Sequence, residues 1–90
     1  MTYKVNFLPQ AKEDLDWLRK NDKQSYIKCF DLIREIIEKP REGTGKPERL
    51  KYFSQEVFSR RINLRDRIIY TIYETTLEID ISSCRMHYDY

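Results

Sequence analysis

The sequence predicts an α+β domain in which two antiparallel helices pack on one face of a largely antiparallel sheet of four to five strands. Three observations predict it. Residues 9 to 38 carry apolar side chains at helical spacing on either side of one break. Runs of β-like composition follow the only two glycines of the chain, and one further alternating run precedes the helices. Ninety residues suffice to bury one core and no more, so residues 1–90 are expected to form a single domain.

Tyr3-Lys4-Val5-Asn6-Phe7 alternates apolar and polar side chains, the pattern of a half-buried strand. Pro9 suits the first turn of a helix, where its missing donor costs nothing. In that helix Ala11, Leu15 and Leu18 recur at i, i+4 and i+7 as a buried stripe, with Trp17 on or near its edge. Asn21-Asp22 breaks the pattern and supplies an N-cap for a second helix from Lys23 to Glu38, with Tyr26, Phe30, Ile33 and Ile37 along one face. Pro40 stops it. Gly43, Gly45 and Pro47 make the next stretch turn-rich. Gly43-Thr44-Gly45-Lys46 lacks the spacing of a nucleotide-binding loop, and Pro47 follows where that loop needs a helix. A short strand is expected near Glu48 to Tyr52, then β runs at Val57 to Asn63, Arg67 to Tyr73, and Leu77 to about Arg85.

Hydrophobic residues make up 40% and charged residues 36%, which excludes a disordered or membrane-embedded chain. No apolar run approaches the length of a signal peptide or a spanning helix, so no membrane partner and a cytoplasmic location are expected. Cys29 and Cys84 are far apart in sequence, and one histidine cannot complete a Cys/His zinc set, so no structural metal, disulfide or cofactor is expected. Net charge is only +2, but residues 40 to 70 hold 8 basic and 4 acidic side chains while residues 71 to 90 sum to −3. A basic middle of this kind suits a polyanion on one surface.

Alternation assigns faces. Arg61 shares a face with Val57, Ser59 and Asn63, opposite Phe58 and Ile62, and Arg67 alternates with Ile68 and Tyr70; both arginines are therefore expected on the face away from the helices. Arg60 and Arg61, adjacent on a strand, are expected to be solvated, one on each face. His87, the only histidine, falls in phase with the core set Leu77, Ile79 and Ile81, and a bulge or a strand end near Ser82-Ser83 is needed to free it. Its ordinary pKa, about 6.5, suits proton transfer near neutral pH.

Gly45-Lys46-Pro47-Glu48-Arg49-Leu50-Lys51, Ser59-Arg60-Arg61-Ile62-Asn63, Arg67-Ile68-Ile69-Tyr70 and Cys84-Arg85 with His87-Tyr88 together resemble, in order and spacing, the YoeB branch of the RelE-type toxins. The resemblance implies a RelE-like fold of the microbial-ribonuclease type. It also implies a toxin of a type II toxin–antitoxin system that enters the ribosomal A site, cuts mRNA there, and is silenced by a cognate YefM-like antitoxin. Homodimers are known among such toxins and are carried over as an expectation. Residue by residue, it places a general base at Glu48, a general acid at His87, phosphate-stabilising cations at Arg67, Lys51 and Arg61, and an orienting aromatic at Tyr88; Lys46 and Arg65 join the RNA-binding set.

Metal-independent cleavage needs such a set: a group to take the 2′-hydroxyl proton, cations on the phosphate, and an acid for the departing 5′-oxygen. The reverse assignment, with His87 as base and Glu48 holding the substrate or an arginine, stays open. Two other readings do as well: a non-nuclease toxin of the ParE type with the same fold, and a non-catalytic module that binds an antitoxin and an operator. The chain departs from the family at Arg65-Asp66, where Asp66 could pair with Arg67 or Arg61 and mute a cation, at Met86, and in the Asp89-Tyr90 extension.

Overall fold

The computed structural model describes residues 2–85. Its elements run β1 (Lys4–Phe7), α1 (Pro9–Asn21), α2 (Lys23–Glu38), β2 (Glu48–Arg49), β3 (Glu56–Arg61), β4 (Arg67–Tyr73) and β5 (Glu78–Ser83). The strands form one sheet in the order β1-β5-β4-β3-β2. Three pairings are antiparallel, and β1 runs parallel to β5, with Val5 opposite Ile79 and Phe7 opposite Ile81.

The helices form where the caps require. Pro9 opens α1, and the Asp22 N–H donates to the Leu18 carbonyl to close it. The Asp22 carboxylate then accepts from the Ser25 N–H and starts α2. A one-residue joint leaves the helices no option but to fold back on each other. Ala11, Leu15 and Leu18 of α1 are buried as the spacing predicts.

The buried stripe of α2 differs from the predicted one. Ser25, Cys29, Leu32, Ile33 and Ile36 are buried, whereas Tyr26, Phe30 and Ile37 are only partly so. The apolar arc of α2 is wider than one stripe, and the sheet takes its centre. Tyr26 and Phe30 are left on the flank, where their rings meet edge to face at 5.2 Å and Phe30 leans on Phe7 at 6.4 Å.

The core lies between helices and sheet and is closed by Phe58, Ile62, Ile68, Tyr70, Ile72, Ile79 and Ile81 from the sheet side. Val57 and Ile69 are buried outside this cluster, as alternation requires of residues on the opposite face. β3 ends at Arg61, two residues short of the expected limit, because Ile62 and Asn63 already donate to the Asp66 carbonyl in the turn. β2 is likewise shorter than expected, with a turn at Lys51-Tyr52.

Of the two alternatives open near Ser82-Ser83, the last strand shows a bulge. Tyr70 pairs with Ile81 but Ile69 pairs with Ser83, so Ser82 is the extra residue. The inward-facing positions therefore run Ile79, Ile81, Cys84, and the phase of the chain is shifted by one after Ser82. The Cys84 N–H donates to Asp14 at 2.9 Å, and its thiol meets that of Cys29 in the core. Both cysteines are free; that contact, with burial behind it, pushes the Cys84 thiol well above its ordinary range. His87 and Tyr88 lie outside the described residues, as do Met86, Asp89 and Tyr90.

Candidate active site

The sheet face turned away from the helices carries three of the predicted site residues, Glu48, Arg61 and Arg67. Its register places Glu48 opposite Ser59, Ser59 opposite Ile69, and Ile69 opposite Ser83, so one row crosses four strands. Two positions along, Arg61 stands directly opposite Arg67. From strand spacings of about 4.8 Å and rises of about 3.3 Å per residue, the Glu48 backbone lies roughly 8 Å from that of Arg61 and roughly 12 Å from that of Arg67. Glutamate and arginine side chains can converge across such gaps. The structure thus brings Glu48, Arg61 and Arg67 onto one face at one end of the sheet.

Like charges directly opposite on adjacent strands destabilise a sheet. Arg61 is exposed and Arg67 half-buried, and neither has a carboxylate within ion-pair distance among the described residues. Glu48 is exposed and also makes no ion pair among them. Asp66 does not silence the two arginines: its carboxylate is buried and engaged by Arg65 at 3.4 Å and by Asn63 at 3.0 Å. Arg65, expected among the RNA-binding cations, is therefore partly neutralised by its own neighbour.

Lys46 reaches the site from the connection before β2. It adopts a left-handed backbone (φ 51°), uncommon for a residue with a side chain, and it follows Gly45 at φ 86°. Gly45 is required there: its carbonyl accepts the Arg61 N–H at 2.7 Å, and a Cβ would lie 2.9 Å from the Arg61 carbonyl oxygen. Lys51 is exposed in the turn after β2.

Arg60 corrects the expectation of two solvated arginines. It is fully buried on the helix side of β3, in phase with Phe58. Its guanidinium donates to the Tyr70 hydroxyl, to Glu35, and to the carbonyls of Lys39, Glu42 and Thr44. Tyr70 passes the chain on to the Pro40 carbonyl at 2.6 Å, and burial pushes its phenol above the ordinary range. Arg60 thereby ties down the irregular connection that delivers Lys46 and Glu48. Alternation carried the signal, since it put Arg60 on the inner face. Among the described residues no three His, Cys, Asp or Glu side chains come together as a metal site, and no helix is long and apolar enough to cross a membrane.

Residues 7–88 match the model of a family described as the YoeB-like toxin of bacterial type II toxin–antitoxin systems. The toxin YoeB of Synechocystis is 40% identical over 85 residues, which cover 94% of this chain and 96% of that protein. The YoeB dimer of Staphylococcus aureus superposes with a TM-score of 0.84 at 37% identity, over 98% of this chain and 100% of that one. The heterotetrameric YoeB–YefM toxin–antitoxin complex of the same species gives 0.82 at 38%, with the same coverage. A small two-helix, one-sheet toxin is the class these findings define. The chain belongs to the YoeB-like toxin family of type II toxin–antitoxin systems.

Proposed function

We propose that the chain is a ribosome-dependent endoribonuclease that cuts mRNA in the A site and so inhibits translation. The observation that carries this reading is Glu48 on the same sheet face as the Arg61–Arg67 pair, none of the three in an ion pair among the described residues. Glu48 takes the 2′-hydroxyl proton. The 2′-oxygen attacks the adjacent phosphorus, the P–O5′ bond breaks, a 2′,3′-cyclic phosphate forms, and His87 protonates the departing 5′-oxygen. Arg67, Arg61 and Lys51 hold the phosphate oxygens as charge builds on them; planar guanidinium forks suit that task, and preorganised charge is often the largest catalytic term. Tyr88 orients the nucleotide by stacking, and no metal enters the scheme.

The partners proposed are messenger RNA on the ribosome and a YefM-like antitoxin; homodimerisation is proposed alongside. The Staphylococcus aureus relative solved with YefM, and its solved dimer, support the last two. The test is growth. Expression of the wild type should arrest it, and Glu48→Ala, Arg67→Ala or His87→Ala should each relieve the arrest while the variant remains folded. Full toxicity in all three folded variants contradicts the assignment.

A further inference from the structure

A groove beside the candidate site is lined by Lys28 of α2, Gly45 and Lys46 of the connection, Arg61 at the end of β3, and Asn63 and Leu64 of the following turn. Three cations from three separate segments face it, and no carboxylate does. Elsewhere Arg19 and Lys20 are paired with Asp16, Arg34 with Asp31, Lys39 with Glu42, and Arg41 with Glu56 and Glu74. Lys28, Lys46 and Arg61 make no ion pair among the described residues, as Lys4, Lys12, Lys23, Arg49 and Lys51 also do not.

The fold also holds these cations in place. Asn63 donates to the Ser25 hydroxyl at 2.8 Å, which locks the first turns of α2 to the β3–β4 turn; Lys28 is three residues beyond Ser25 on that helix. The same Asn63 accepts the N–H groups of Arg65 and Asp66 at 2.8 and 2.6 Å, which fixes the turn. The Gly45 carbonyl accepts the Arg61 N–H at 2.7 Å, and Lys46 beside it has a left-handed backbone. An anion bound in the groove would meet all three cations and offset the repulsion among them.

We propose that this groove is a second backbone subsite for the single-stranded RNA, holding a phosphate next to the one that is cut, with Lys28 as its distal contact. The inference rests on the nuclease reading and extends it to a residue that none of the motif blocks contains. Lys46 and Arg61 belong to both subsites, so the strand runs from the Glu48 row toward α2. Leu64, fully exposed at the rim, offers the neighbouring ribose or base an apolar edge.

The experiment measures affinity of the folded protein for a short 2′-O-methyl single-stranded oligonucleotide, which cannot be cut, as a function of salt. Lys28→Ala should weaken binding and reduce the slope of log K against log salt by about 0.7, the value for one lost single-strand phosphate contact. Lys28→Arg should restore the slope. Lys4→Ala, on the exposed strand β1 at the far edge of the sheet, removes the same charge and should leave the slope unchanged. A slope for Lys28→Ala equal to that of the wild type or of Lys4→Ala overturns the proposal, as does a Lys28 dependence confined to an A-form duplex. Because the probe is uncleavable, loss of the nuclease reading would appear only in the cleavage assay, and failure of the subsite only here.

Discussion

Arg60→Met tests how the fold supports the site. The substitution keeps length and apolar volume but removes a guanidinium that is fully buried and makes five hydrogen bonds of 2.7 to 3.2 Å. The Glu42 and Thr44 carbonyls lose the Arg60 donor, the Lys39 carbonyl keeps only the Glu42 N–H at 3.4 Å, and Glu35 loses its cation. Each bond to a charged group is worth about 1.5–3 kcal/mol, but the contributions do not add, and Glu35 is 39% exposed and rehydrates. Each part-buried carbonyl left without a donor costs about 1–3 kcal/mol, so a loss of about 3–5 kcal/mol is expected. Against a total of about 5–15 kcal/mol for a small domain the loss is severe, with the melting temperature falling on the order of 20 °C. Urea unfolding followed by circular dichroism and by Trp17 fluorescence measures it. Paired with Tyr70→Phe in a double-mutant cycle, the two sites should couple by about 0.5–3 kcal/mol. A loss under about 1 kcal/mol, with no coupling, would refute the view that Arg60 holds the connection.

Other outcomes follow from the same structure. Thr44 and Arg60 hold the Glu35 carboxylate below its ordinary range, and Arg41 does the same for Glu56. Carboxylates depressed in the folded state contribute stability at neutral pH that is lost as pH falls from about 4.3 toward their folded values; urea midpoints should drop through that window, and a rise there contradicts it. Gly45→Ala places a side chain at φ 86° against the Arg61 carbonyl and should cost about 1–3 kcal/mol, while weakening RNA binding through Lys46. Asp14→Ala leaves the Cys84 N–H without its acceptor in a buried position and should cost about 1–3 kcal/mol by thermal unfolding.

Local chemistry was readable from the sequence and non-local pairing was not. Asp22 and Pro40 bracket α2 because a cap and a ring without an N–H act on their immediate neighbours. The bulge at Ser82 was readable because the core phase and the needed phase disagreed there. The parallel pairing of β1 with β5 depends on a crossover over both helices, which no local pattern encodes. The α2 face was misjudged because apolar residues occupy most of its circumference and only the sheet decides which arc lies deepest. At the site, alternation put Arg61 and Arg67 on the outer face, and register adds that they oppose each other. Arg60 was missed because adjacent arginines look alike until an inner face is found to contain acceptors. Lys28 carried no signal, since only the Ser25–Asn63 bond brings its helix to the groove.

Primer extension on a messenger programmed into ribosomes is the most direct test of the central claim. The wild type should produce a new stop within the A-site codon that needs ribosomes, and folded Glu48→Gln and Arg67→Ala proteins should cut at least about 100-fold more slowly. No stop with the wild type, or equal cutting by both variants, would contradict the account.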